Sequence, residues 1–217
     1  MSALFLLFCE VSLAQSAPKL PANGWITAHF DGATLRPQGE LGVAIPFSRV
    51  TALAVEGFAS SLDAGLNLGP TFEIGSLYLS PMASFQSSYT GDKGFGGQLL
   101  VAWEAPPLPL YLESRARGLY LLDEGGLLLS DRTLLMVTLP WFAVGAEHDG
   151  EIRPVGGHNR WGPRFNFGIG KHLVLGAYAG IEADKEARET AKARMLQTSV
   201  ALGPAWLSAQ ATATVRW

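Results

Sequence analysis

"LSAQATATVRW", residues 207–217, alternates without a break. Leu207, Ala209, Ala211, Ala213, Val215 and Trp217 are apolar, and Ser208, Gln210, Thr212, Thr214 and Arg216 are polar. A period of two predicts a β-strand with two unlike faces. Its length also matters, because a tilted strand needs about 9–11 residues to cross a bilayer.

The same alternation recurs upstream. "PRFNFGIG" sets Phe165, Phe167 and Ile169 against Arg164, Asn166 and Gly168. "HLVLGAYAGIE" sets Leu173, Leu175, Ala177, Ala179 and Ile181 against His172, Val174, Gly176, Tyr178, Gly180 and Glu182. "LPLYLESRARGLYLL" places Glu113, Arg115 and Arg117 opposite Leu110, Leu112, Ala116 and Tyr120.

Of the 217 residues 48% are apolar and 16% charged, against about 25% charged in soluble domains. No run of about 20 apolar residues exists; "LLMVTLPWFAVGA" (134–146) is short and broken by Pro140. Much apolar content without a spanning helix leaves a soluble all-β protein or a transmembrane β-barrel. A net charge of -3 gives no reason to expect a nucleic-acid partner.

The first residues, "MSALFLLFCEVSLAQ", read as an export signal with an apolar stretch from Ala3 to Phe8 and small residues before Gln15. A positive start is missing, and Glu10 lies close to the apolar stretch. The expected division is a signal peptide over 1–14 and one β-barrel domain over 15–217. Cleavage removes Cys9, the only cysteine, which suits a chain crossing an oxidising compartment. Bulky Phe8 argues against a lipid attachment at Cys9.

Tight connections are expected at 46–49, Gly69-Pro70, 105–109, Leu139-Pro140, Gly170-Lys171 and Gly203-Pro204. Longer ones are expected at 87–96, 123–131, 149–162 and 184–193. Short turns on one rim and longer loops on the other are the barrel layout. The segmentation gives about thirteen strands. Single-chain barrels have an even number, so the expectation is an all-β, antiparallel transmembrane barrel of about twelve strands, within ten to fourteen. Trp25, Trp103, Trp141, Trp161, Trp206 and Trp217 fall near strand ends, as interface girdles require.

The signal-like "LFLLFCEVSLA" and the closing "LSAQATATVRW" together resemble the small bacterial outer-membrane β-barrel proteins. The likeness is one of layout over the whole mature chain. It implies residence in the outer membrane, with lipid and the barrel assembly machinery as partners. It also implies that Val215 and Trp217 belong to the terminal assembly signal. It carries over no catalytic residue and no cofactor.

In a barrel the polar face lines the lumen. The expected lining residues are Glu56, Glu73, Glu104, Glu113, Arg115, Arg117, Arg164, Asn166, Gln210 and Arg216. Such charges either pair into a structural plug or line a pore for small solutes. His148 and Asp149, with Glu147 beside them and His158 nearby, form a candidate rim acid–base pair or weak metal site; a pair of solvated rim residues is the simpler reading. His29 and Asp31 repeat the spacing. "GDKGFGG" lacks the Lys-Ser/Thr ending of a phosphate loop, and no G-x-S-x-G elbow occurs. Three functions therefore stand: a channel or structural barrel without catalysis, a rim-active enzyme acting on lipid or protein, and an exported soluble barrel.

Overall fold

The computed structural model describes residues 23–31, 36–123, 125–153, 157–169, 173–183 and 207–216. Side chains at 23, 29, 31, 36, 207–214 and 216 lie outside that description. The expected signal peptide, the polar loop at 184–193, Gly170-Lys171, Gly203-Pro204, Trp206 and Trp217 also lie outside it.

Twelve strands occur among the described residues: β1 (Asn23–Asp31), β2 (Arg36–Pro46), β3 (Thr51–Ser60), β4 (Asp63–Ile74), β5 (Leu77–Ser88), β6 (Lys93–Glu104), β7 (Leu110–Leu121), β8 (Gly126–Thr138), β9 (Phe142–Ile152), β10 (Gly157–Ile169), β11 (Leu173–Glu182) and β12 (Leu207–Arg216). Each pairs antiparallel with its chain neighbours, and β1 pairs with β12 to close a barrel. Closure leaves no sheet edge with unpaired backbone groups, which a hydrocarbon environment would penalise. The final strand has the expected alternation and pairs on both sides, Val215 with Ile26 and with Leu173.

The faces are inverted relative to a soluble protein. Phe165, Phe167 and Ile169 point outward at 52%, 47% and 47% exposure, while Glu56, Glu147 and Arg164 are buried inside. Ile26, Leu41, Leu66, Phe85, Phe95, Leu135 and Val215 continue the exposed apolar surface. A girdle of that extent is stable only against lipid. Two small apolar clusters fill part of the interior. Leu134, Met136, Ala143 and Val174 form one, towards the rim where β1 begins (the lower rim). Leu119, Leu121 and Leu128 form the other, towards the upper rim.

Four expectations about connections are corrected. Gly69-Pro70 lies inside β4, where Pro70 pairs with Leu53. The β4–β5 ladder runs from Leu68–Ala83 to Phe72–Leu79 without pairs between; Pro70 and Pro81 fall in that gap, each lacking an N–H to donate. The stretch from Ser87 to Gly96 is mostly strand, because β5 runs to Ser88 and β6 starts at Lys93. Likewise β8 starts within 123–131, and β9 and β10 both extend into 149–162, so Asp131, Asp149 and Asn159 are strand residues. Polar composition suggested loops there; the inner face of a barrel accepts the same composition within strands. At the lower rim, Ser48 Oγ accepts from the N–H groups of Val50 and Thr51 at 3.1 and 3.0 Å. Gly75 starts the β4–β5 turn at φ +63°, a conformation that costs glycine least.

Candidate functional site: the charged lumen

The lumen-facing charges gather at mid-height, because each comes from near the middle of its strand. Arg115 on β7 reaches Glu40 on β2 at 3.3 Å and Glu56 on β3 at 3.9 Å. Strands β2 and β7 are five apart one way and seven the other, so this contact ties nearly opposite walls. Glu56 is 2% exposed and accepts from Asn67 Nδ2 and Gln98 Nε2, both at 3.2 Å. Ser84 donates to Asn67 at 2.7 Å. These groups fill the lobe between β3 and β6 with a satisfied polar network, as buried carboxylates require.

A second cluster forms on β8, β9 and β10. Arg132 donates to both carboxylate oxygens of Glu147, at 2.8 and 3.4 Å. Arg164 approaches the same carboxylate at 3.2 Å and holds Asn166 Oδ1 at 2.8 Å. Glu147 is 1% exposed and Arg164 4%. A carboxylate taken out of water to that extent needs this much positive charge. Around the two clusters the internal space measures about 550 Å³, lined among others by Trp25, Phe58, Tyr111, Glu113, Arg117 and Arg160.

The ten residues expected to line the lumen are placed as follows. Glu56, Glu113, Arg115, Arg117, Arg164 and Asn166 border the internal space, and Glu113 accepts from Tyr111 Oη at 2.5 Å. Glu73 and Glu104 lie near the lower ends of β4 and β6, away from the two clusters. Gln210 pairs through its backbone with Tyr178 and Arg216 with Trp25, but their side chains are outside the description. Glu40, Asn67, Gln98 and Arg132 were missed as lining residues, and Glu147 was expected only beside the rim pair His148–Asp149. Each occupies an inward position of an alternating strand, so the face assignment alone would have found them.

Trp25 departs from the expected girdle. It points into the lumen and hydrogen-bonds Glu40, with its ring lying over Gly42, the residue it pairs with on β2. Trp103, Trp141 and Trp161 are outward-exposed at 44%, 66% and 55%.

The expected His148–Asp149 pair is also corrected, because adjacent strand residues point to opposite faces. His148 turns outward, with Nδ1 at 2.7 Å from Asp131 and Nε2 at 3.0 Å from Asn159 Oδ1. Asp149 turns inward, 3.2 Å from His158. Among the described residues no three of His, Cys, Asp and Glu converge as a metal site. The side chains of His29 and Asp31 lie outside the description. Beside His148 the outer wall is concave, a groove of about 890 Å³ bordered by Ala83, Gly97, Ala116, Gly118 and Gly150.

No protein-family model matches the chain, and no curated protein matches it. Solved structures do. The KdgM porin aligns over 90% of this chain and 98% of its own, at 10% identity and TM-score 0.54. The NanC porin aligns over 88% and 98%, at 9% identity and TM-score 0.57. The outer membrane phospholipase of Salmonella typhi aligns over 99% and 98%, at 8% identity and TM-score 0.52. Porins and a hydrolase share this architecture, so fold and function separate here. The chain has the fold of the bacterial outer-membrane β-barrels.

Proposed function

We propose that this protein is a narrow-bore channel of the bacterial outer membrane, passing small solutes through a charged constriction. The observation that carries the reading is the mid-height belt in which the Arg115, Glu40 and Glu56 cluster adjoins the Arg132, Glu147 and Arg164 cluster, Arg115 and Arg132 being partners on neighbouring strands, and in which all six border the remaining internal space. Rings of fixed charge at a constriction select permeants by sign and size. In this reading residues 1–14 direct export, lipid surrounds the barrel, and the assembly machinery reads the terminal strand with Trp217. The upper rim faces the cell exterior and the lower rim the periplasm. The porin-like architecture supports the channel reading over a soluble barrel.

A structural barrel is the second reading, favoured by the direct Arg115–Glu40 bridge. The enzymatic reading has less support, since the ring nitrogens of His148 meet Asp131 and Asn159, and neither partner is a hydroxyl or thiol nucleophile. Planar-bilayer recording of the purified full-length barrel separates channel from structural barrel. Discrete steps of small conductance are expected. Absence of current at every voltage and salt concentration tested would overturn the channel and leave the structural barrel.

A further inference from the structure

Three arginines inside the barrel can be compared by what their Nε–Nη2 edge binds. Arg132 sets that edge against Glu147, at 2.8 and 3.4 Å. Arg153 sets it against Glu151, at 2.6 and 3.3 Å. Arg117 has the same two atoms buried and without a hydrogen-bond partner. The carboxylates whose charge acts on it, Asp63 and Glu151, are committed elsewhere. Asp63 accepts from Ser60 and Gln86, and Glu151 is held by Arg153. Across the lumen, the Phe58 ring lies 4.7 Å from the Arg117 guanidinium carbon and rests on Gly65, the residue it pairs with on β4. The guanidinium is thus fixed by a cation–π contact on one face, while its two-pronged donor edge goes unused.

We infer that Arg117 is a recognition site for the carboxylate of a small organic anion, seated on the upper side of the Arg115–Glu40 bridge. A buried donor pair without acceptors is costly, and a planar carboxylate answers both donors at once. Seating it takes a side-chain shift of the kind common on binding. The anion meets the site from the upper rim, because Arg117 lies one inward step above Arg115 on β7. This deepens the channel reading by naming a permeant class, yet its test does not need an open bore.

The test is equilibrium dialysis of the detergent-solubilised full-length barrel against gluconate, with sorbitol and inorganic phosphate in parallel. Gluconate is expected to bind, sorbitol to fail, and phosphate to bind more weakly. Arg117→Gln is expected to weaken gluconate binding at least tenfold. Arg117→Lys, which keeps the charge without the planar fork, is expected to weaken it by a smaller factor, and it serves as the probe if the glutamine variant does not assemble. Gluconate binding that is absent, or unchanged in both variants, overturns the inference. So does equal binding of phosphate, or full retention in the lysine variant, either of which marks a mere point charge. Intact Arg117-dependent binding in a barrel without conductance overturns the channel reading alone.

Discussion

Replacing Arg115 with alanine removes the one side chain among the described residues that ion-pairs with both Glu40 and Glu56. Truncating one member of a buried ion pair costs about 3–5 kcal/mol, and an exposed pair is worth about 0–1 kcal/mol. Arg115 and Glu40 lie between those limits, at 26% and 20% side-chain exposure, while Glu56 is at 3%. Glu56 keeps its amide donors Asn67 and Gln98, and Glu40 keeps Trp25. The expected loss of unfolding free energy is therefore about 2–3 kcal/mol, near the lower end of the buried range. Urea titration read by heat-modifiable gel mobility measures it. The same variant frees the space between opposite walls, so its unit conductance is expected to rise above that of the parent. Combining it with Glu40→Gln should recover part of the stability, with a coupling energy of roughly 1–2 kcal/mol. Unchanged conductance together with a stability loss below about 0.5 kcal/mol, the level of a neutral surface change, would refute the cross-lumen bridge.

Three further outcomes are expected. Gly42→Val places a Cβ 2.0 Å from Trp25 Cζ2; overpacking of this kind costs about 1–3 kcal/mol, and Trp25 fluorescence should shift as the ring is displaced. His148→Leu leaves Asp131 without its partner on the lipid-facing wall, so thermal stability of the barrel in vesicles should fall by about 1–3 kcal/mol, whereas Asp131→Asn together with His148→Leu should recover most of it. Deleting Trp217 should reduce the membrane-inserted fraction in cells far more than total synthesis, measured by fractionation and heat-modifiability; equal insertion would remove Trp217 from the assembly signal.

The wall of this barrel was legible because alternation is a local property. "PRFNFGIG" and "LESRARGLYL" show their faces from sequence alone, and the structure places Arg164, Arg115 and Arg117 inside as the period of two requires. What stayed hidden depends on distance around the barrel. Nothing near Glu40 in the sequence marks Arg115, which lies 75 residues away. The histidine was misread for a local reason. His148 and Asp149 look like partners when adjacency is taken as contact, but the pleat sends one to each side of the wall. The prolines misled in the same way. Pro70 has the composition of a turn, yet it is tolerated within β4 because its missing N–H coincides with a gap in the ladder.

The Arg115–Glu40 contact also separates two quantities that a round pore would link. Strand number, spacing and tilt fix the perimeter: twelve strands about 4.8 Å apart and tilted about 40° give a circle about 24 Å across. An arginine and a glutamate joined end to end span roughly 14 Å, reckoned from ordinary bond lengths, so the section must be drawn in along the β2–β7 line. The concave outer wall around Ala116 and Gly118 is the other side of that indentation. The area enclosed is then set by side chains at constant perimeter. The bore can widen or narrow by rounding or flattening, with no backbone hydrogen bond broken.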